Sequence, residues 1–170
     1  MAKRIVDFRD CQAEIIKAYD DRRVLLVSQG NKGIPNVMAI GWGSLGIVWK
    51  KPVFTVLVRI SRYTSHLIEE SGEFSVNILP PGREDVAKYC GSVSGRDGNK
   101  FEAMGLTTAP SHCLKIPVIN ECIINVECRV IYKSNLVPEA LDETVLAEIY
   151  GKTQNFHRIY YGEITACRRD

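Results

Sequence analysis

The chain has 170 residues, 45% of them hydrophobic and 25% charged, and its net charge is +2 at neutral pH. These values are ordinary for a globular protein, and so small a net charge gives no reason to expect binding to nucleic acid or to an anionic membrane. The chain is most simply one domain, 1–170, and no apolar run is long enough to cross a membrane or resembles a signal peptide. We therefore expect a cytoplasmic protein.

The first predicted elements are a helix and a β-hairpin. Residues 10–21 carry apolar side chains at helical spacing, and we interpret them as a short helix that caps one end of a barrel. Residues 23–29 are rich in Val and Leu and predict a strand. The cluster 30–33 predicts a turn into a second strand, 35–42, and we expect a loop at 43–46.

The middle of the chain predicts two strands around one helix. β-Branched residues on both faces of 53–60 indicate a central strand. Residues 63–71 predict a helix that Thr64 or Ser65 caps and that ends before a glycine. Alternating apolar and polar residues then predict a half-buried strand over 74–78.

The second half of the chain predicts a short helix at 83–89, a polar loop at 91–100 and further strands at 120–133, 145–150 and 159–166. The strands are six or seven in all, helices are few, and nothing follows a βαβ rhythm. This pattern indicates a mainly β fold, a small closed or split β-barrel.

The six cysteines favour free thiols in a reducing compartment, because none of them stands in a Cys-x-x-Cys pair. Cys122 and Cys128 share one face of a predicted strand but lie too far apart along it to form a disulfide. The spacing of cysteines and histidines gives little support to a metal site, and we predict no metal.

Four candidate phosphate-binding residues lie at the junction of a predicted strand and helix: Arg59, Ser61, Arg62 and Thr64. Arginine carries a planar fork of donors that matches phosphate oxygens, and hydroxyls add further donors. The helix start adds free backbone N–H groups and the positive end of its dipole. The alternative is a solvated strand end with an ordinary helix cap.

An earlier strand segment, residues 36–44, is nearly bare on one face, because Ala39, Gly41 and Gly43 have small side chains. A flat heterocycle could approach the backbone there and bond to main-chain groups. Alternatively, the small residues make room for a neighbouring helix or a dimer partner. Trp42, on the other face, is more often a core or interface residue than the wall of a cofactor site.

Other candidates are isolated polar residues. Asn77 interrupts an apolar strand and could bond to a ring edge or fasten a loop. The loop from Ser94 to Lys100 could close over a ligand or be a solvated surface loop. His157 could donate to a ring or be an ordinary packed histidine. The sequence lacks the usual hydrolytic motifs, and we reject Gly41-x-Gly43-x-x-Gly46 as a Rossmann fingerprint because it stands between strands.

These motifs, taken together and in this order, resemble the flavin reductase-like family of FMN-binding split-barrel proteins, from about Arg23 onward. The matching segments are Asn36-Val37-Met38-Ala39 with Trp42 and Ser44, Arg59-x-x-Arg62-Tyr63-Thr64, Gly72-Glu73-Phe74-x-Val76-Asn77, Ser94-Gly95 with Lys100-Phe101, Pro117 with Glu121 and Cys128, and His157 with Gly162-Glu163-Ile164. Lys50-Lys51-Pro52 departs from the pattern of many members, which have an acidic residue and paired prolines there.

The resemblance implies a Greek-key split β-barrel with a few short helices, which forms a homodimer with FMN near the dimer interface. It assigns the phosphate to Arg59, Ser61, Arg62 and Thr64. It assigns the isoalloxazine ring to Asn36, Val37, Met38, Ala39, Gly41, Trp42, Gly43 and Ser44. Further FMN contacts carry over to Asn77, Ser94, Gly95, Lys100 and His157.

The implied chemistry is hydride transfer from NADH or NADPH to the flavin N5, in an NAD(P)H:flavin oxidoreductase. The flavin supplies the reactivity, so no catalytic acid or base side chain is predicted. An alternative is a flavoredoxin-like protein that holds FMN and exchanges electrons with a protein redox partner. A second alternative is a split-barrel protein that binds a ligand other than a flavin.

Overall fold

The computed structural model describes residues 3–170 and confirms the prediction of a mainly β fold with few helices. The strands are β1 (Arg4–Ile5), β2 (Val24–Gln29), β3 (Pro35–Ala39), β4 (Gly43–Val48), β5 (Lys51–Arg59), β6 (Glu73–Ile78), β7 (Thr108–Ala109), β8 (Val118–Ile119), β9 (Ile124–Asn135) and β10 (His157–Arg169). The helices are α1 (Gln12–Asp20), α2 (Tyr63–Ser71), α3 (Glu84–Ser92), α4 (Lys100–Ala103) and α5 (Glu143–Val145).

The main sheet is antiparallel and runs in the order β3-β2-β6-β9-β10-β5-β4, with β1 paired to β10. β3 and β4 are the two ends of this order, yet residues 40–42 alone join them along the chain. So short a linker spans about 14 Å at most, so the sheet has to curl until its ends lie near each other. The result is a split β-barrel, and the linker 40–42 crosses the split.

Two apolar clusters stabilise the barrel, and β2 belongs to both because it is covered on both faces. Val24 and Leu26 lie in the cluster inside the barrel, whereas Leu25 and Val27 lie in a second cluster with side chains of α3 and α4. Side chains alternate between the faces of a strand, so a strand covered twice has to be apolar throughout. The second cluster fixes α3 against the barrel, beside the split.

Helix α2 has the predicted bounds, but its predicted cap is wrong. The residue at the N-cap is Arg62, which makes no side-chain capping bond. Thr64 and Ser65 lie inside the first turn, where both are buried and bond to side chains from elsewhere in the barrel. The helix ends at Gly72, whose φ of 68° is the left-handed conformation that favours glycine.

The loop predicted at 43–46 is wrong, because these residues begin β4, which forms a hairpin with β5. The hairpin turns at Trp49 and Lys50, and both have positive φ, at 52° and 61°. Two consecutive residues with positive φ make a type I′ turn, which usually contains Asn or Gly. Trp-Lys gives no such signal in the sequence.

The strand predicted at 145–150 is also wrong. Asp142 caps the short helix α5 by accepting from Thr144 N and Val145 N, and a π-helical turn, Leu146–Tyr150, follows. The apolar residues that suggested a strand fit one face of this helical segment instead.

The predicted strand 120–133 begins at Ile124, so Cys122 precedes β9 and does not share a strand face with Cys128, contrary to the prediction. Two register shifts of the β-bulge kind interrupt the pairing of β9 with β10. The structure has all six cysteines as free thiols, and Cys113 is exposed.

No helix between residues 3 and 170 combines the length and apolar character needed to span a bilayer.

Candidate functional site

An open cleft of about 820 Å³ lies beside the split in the barrel. The linker 40–42 and the ends of β3, β5 and β10 contribute to it, together with α1 and α3. The lining residues are Tyr19, Asp20, Asp21, Arg22, Met38, Ala39, Ile40, Gly41, Trp42, Leu57, Arg59, Arg62, Glu84, Ala87, Lys88, Gly91 and His157. The structure thus brings together seven of the predicted site residues: Met38, Ala39, Gly41, Trp42, Arg59, Arg62 and His157.

Two arginines make one part of the cleft cationic. Arg59 ends β5, and a tight turn, in which Arg62 N donates to Arg59 O at 2.9 Å, places Arg62 at the start of α2. Arg59 Nη1 donates to Asn155 O at 3.1 Å, and Arg62 Nη1 lies 3.5 Å from Gly91 O. A guanidinium has five N–H donors, so both side chains keep donors for an anion.

The small residues beside the arginines have two different roles. A Cβ added to Gly41 would meet no atom within 4 Å, so open space lies over this residue. A Cβ added to Gly43 would lie 2.2 Å from Tyr19 Oη. Gly43 therefore makes room for α1, which is the alternative considered for this strand, and Ala39 and Gly41 are the part that faces the cleft.

Trp42 and His157 form an aromatic corner of the cleft. Their ring centroids are 5.0 Å apart with the planes at 58°, and Trp42 is 43% exposed whereas His157 is buried. Burial lowers the pKa of His157 to about 4, and the charges of Arg59 and Arg62 act in the same direction. The imidazole is therefore neutral at neutral pH.

Helices α1 and α3 supply lining residues that the sequence analysis missed. From α1 and the residues after it come Tyr19, Asp20, Asp21 and Arg22, and from α3 come Glu84, Ala87, Lys88 and Gly91. The α3 residues follow the i, i+3, i+4, i+7 spacing of one helix face. This spacing was visible in the sequence, but spacing alone does not show what this face of the helix contacts.

Two of the four predicted phosphate-binding residues do not line the cleft. Ser61 accepts from Asn155 Nδ2 at 2.8 Å on the exposed loop before α2. Thr64 is buried, and its hydroxyl accepts from Asn36 Nδ2 at 2.8 Å. Asn36, predicted to contact the ring, therefore joins β3 to α2. Gly95 also approaches it, since a Cβ there would lie 2.0 Å from Asn36 Oδ1.

The remaining predicted residues also lie outside the cleft lining. Val37 is buried in the second apolar cluster, and Lys100 is buried with its ammonium group donating to Val37 O at 2.9 Å and to Cys90 O at 2.8 Å. Ser94 Oγ accepts from Arg96 N at 3.2 Å within its own loop. Ser44 lines a smaller neighbouring concavity of about 370 Å³.

Asn77 is fully buried, and its amide bonds within its own strand and to two neighbouring strands. Its Nδ2 donates to Ser75 O at 3.1 Å and to Ser75 Oγ at 3.0 Å. Its Oδ1 accepts from Ile119 N at 3.0 Å and from Asn125 Nδ2 at 2.8 Å. All donor and acceptor positions of the amide are used, so Asn77 fastens β6 to β8 and β9.

This split barrel with a cleft beside its opening defines the class of protein, and the comparisons with known proteins agree. The family described as "Flavin reductase like domain" matches residues 21–170. The chain therefore belongs to the flavin reductase-like family, as the resemblance implied.

Two relatives extend the comparison. An uncharacterized protein of Archaeoglobus fulgidus is 40% identical over 116 residues, which are 66% of this chain and 62% of that protein. The uncharacterized protein YddH of Escherichia coli is 32% identical over 97 residues, which are 56% of this chain and 51% of that protein. The chain thus matches between about half and three fifths of the length of these relatives.

Solved structures share the fold. Flavoredoxin from Methanosarcina acetivorans has a TM-score of 0.69 and 31% identity, with 88% of this chain and 69% of that one covered. Flavoredoxin of Desulfovibrio vulgaris has a TM-score of 0.69 at 24% identity, covering 87% and 69%. An FMN-binding domain of a flavin reductases-like enzyme from Shewanella baltica has a TM-score of 0.68 at 20% identity, covering 99% and 78%. The last two similarities concern the fold alone.

Proposed function

We propose that the cleft binds FMN and that the protein is an FMN-dependent oxidoreductase that takes hydride from NADH or NADPH. One observation carries the proposal: Arg59 at the end of β5, Arg62 at the start of α2 and the open backbone at Gly41 line the same cleft. Arginine side chains bind a dianionic phosphate, and an open backbone lets a flat ring come close enough to bond to main-chain groups.

The residues present fit FMN in size and in chemistry. The cleft falls within the range of about 300–1,000 Å³ typical of cofactor sites. Arg59 and Arg62 would hold the phosphate, helped by the positive end of the α2 dipole. Met38, Ala39 and Leu57 offer apolar surface to the ring, and the backbone at Gly41 can approach it closely.

FMN, when bound, supplies a ring that accepts hydride at N5 from a reduced nicotinamide. The residues of this chain then have to bind, orient and shield. Trp42 and Leu57 would exclude water from the ring, and His157 would add a neutral polar group at its edge. The seven acidic and basic side chains that line the cleft come from the end of α1 and the residues after it, the end of β5, the start of α2, and α3, and none needs to exchange a proton in this proposal.

A titration of the purified protein with FMN, followed by its visible spectrum, tests the proposal. We expect saturation at one FMN per chain, and we expect Arg59→Ala with Arg62→Ala to weaken binding by about 100-fold or more, because two charge-assisted contacts are lost. Arg129→Ala, which removes an arginine on an exposed part of β9, is the matched control. An unchanged Kd in the double variant would contradict the phosphate assignment, and absence of FMN binding would favour the non-flavin alternative.

A second candidate is a flavoredoxin-like electron-transfer protein that acts with a protein redox partner. The similarity to the Methanosarcina acetivorans flavoredoxin, at 31% identity, favours it. Mixing the FMN-loaded protein with NADH and with NADPH under anaerobic conditions separates the two candidates. Bleaching of the flavin band within seconds supports the oxidoreductase, whereas reduction over hours supports the electron-transfer protein.

We also propose that the protein is a homodimer. The support is an exposed aromatic surface, formed by Trp49, Tyr132 and Ile47 with the half-buried Tyr161, and the centroids of its three rings are 5.3–5.9 Å apart. Exposed apolar groups that cluster in this way are typical of protein interfaces. Light scattering should give a dimer for the wild type and a monomer for Trp49→Lys. Ile34→Lys, which changes an exposed apolar residue that is not part of this surface, should stay dimeric.

A further inference from the structure

A hydrogen bond links His157 of the cleft to a residue that neither the motifs nor the cleft lining indicated. Tyr150 Oη lies 2.7 Å from His157 Nδ1, and both side chains are buried, with exposures of 2% and 7%. Tyr150 is the last residue of the π-helical turn that follows α5. A π-helical turn inside a helical segment is often found at a functional site.

The tyrosine ring is held from two sides. It stacks on Phe156 with centroids 4.8 Å apart and planes at 27°, and the guanidinium carbon of Arg59 lies 6.0 Å from its centroid. Arg59 itself donates to Asn155 O, just before Phe156. The hydroxyl is therefore fixed relative to β5 and β10, which also carry Arg59 and His157 into the cleft.

The positions of the protons follow from counting donors. Within residues 3–170, the bond to Nδ1 is the one hydrogen bond of the Tyr150 hydroxyl, and His157 Nε2 has none. If Nδ1 carried the proton, the tyrosine O–H would be a buried donor without an acceptor, which is unfavourable. If the O–H donates to Nδ1, both groups are satisfied and the imidazole proton lies on Nε2.

We infer that Tyr150 is a positioning residue that holds His157 as the neutral tautomer with its proton on Nε2, so that His157 presents an N–H donor to the cleft. The charged groups facing the imidazole, Arg59 from β5 and Arg62 from the start of α2, both oppose a second proton. Tyr150 opposes it as well, because protonation of Nδ1 would leave its hydroxyl without an acceptor. The donor therefore persists across the physiological pH range.

A neutral N–H donor fits a carbonyl oxygen or a ring nitrogen of a heterocycle. The identity of the acceptor rests on the proposed function, whereas the assignment of the tautomer rests on the hydrogen bond to Tyr150 alone. His157 lines the cleft on the strand that pairs with β5, and His157 stands opposite Arg59 in that pairing. The donor and Arg59 thus share one pair of strands, and Arg62 follows β5 by a tight turn, which suits a ligand with a phosphate at one end and a ring at the other.

The test is nitrogen-15 NMR of labelled histidine in the full chain without FMN, which separates the two neutral tautomers and the cation by their ring-nitrogen shifts. His157→Gln assigns the signals among the three histidines. We expect wild-type His157 to be protonated on Nε2 alone, with no titration from about pH 7 to about pH 5. We expect Tyr150→Phe, which keeps the ring, to give a mixture of tautomers and a pKa shifted upward. Tyr132→Phe, on the exposed aromatic surface, should leave both unchanged.

A proton on Nδ1 in the wild type would overturn the inference, and so would a Tyr150→Phe protein with an unchanged tautomer and titration. If the protein also binds FMN, Tyr150→Phe should weaken binding or slow flavin reduction by about three- to tenfold, the loss of one hydrogen bond. The NMR result does not depend on FMN, so failure of the proposed function and failure of this inference give different results.

Discussion

The cleft and the buried network around Asn77 both contain polar side chains that the family resemblance assigned to FMN, but they differ in how far their donors are used. In the network, the amide of Asn77 uses all its positions within the protein. In the cleft, Arg59 and Arg62 keep free N–H groups, and Nε2 of His157 has no partner among the described residues. A polar residue with unused donors at a surface can bind a ligand, whereas one whose donors are all used inside the fold stabilises it.

The largest expected effect tests the structural side of this comparison. Asn77→Ala should lower the free energy of unfolding by about 3–5 kcal/mol, because it leaves Ile119 N and the Asn125 amide buried without their acceptor. Urea denaturation measures it, with the exposed Asn120→Ala as the control. A variant of wild-type stability with much weaker FMN binding would instead place Asn77 at the ligand.

Lys100 should behave in the same way with a smaller effect. Lys100→Met keeps most of the side-chain shape but leaves Val37 O and Cys90 O without a donor, so we expect a loss of about 2–3 kcal/mol in unfolding free energy. Lys88→Met, which removes an exposed ammonium from α3, is the matched control and should cost less than about 0.5 kcal/mol. If both variants were equally stable and only Lys100→Met lost FMN binding, Lys100 would belong to the ligand site and not to the structural residues.

Arg62 provides the opposite case. Arg62→Ala should leave the free energy of unfolding within about 0.5 kcal/mol of wild type, because the side chain is exposed and its contact with Gly91 O is long. FMN binding should weaken by about 10-fold, the loss of one charge-assisted contact. Urea denaturation and an FMN titration on the same sample give both values. A large loss of stability would show that Arg62 belongs with the structural residues.

The sequence predicted those elements whose signals are local. The end of α2 is visible because Gly72 has the left-handed conformation that glycine favours, and Arg59 and Arg62 are visible as a pair because one short turn separates them. The turn at Trp49 and Lys50 was missed because its residues are not those that usually adopt positive φ. The cleft-lining residues of α1 and α3 were missed for another reason. Their place in the cleft depends on contacts between segments about 20 to 70 residues apart in the chain.

The smallest effect concerns the pH dependence of stability. His157 has a pKa of about 4 in the folded protein, because burial and the two arginines disfavour its charge, whereas an unfolded histidine has a pKa of about 6.5. Between these values the unfolded state binds more protons, so the contribution of His157 to stability is complete above about pH 6.5 and is lost as the pH falls towards 4.

Urea denaturation at pH 7 and at pH 4.5 should therefore show a loss of about 1–2 kcal/mol that depends on His157, allowing for screening by solvent in the open cleft. Other groups titrate over the same range, so the quantity to compare is the difference between the two pH values in wild type and in His157→Gln. The variant should lose less stability than wild type. Equal losses in the two proteins would mean that the folded state does not lower the pKa of His157, and that its imidazole is charged in the folded protein at pH 4.5.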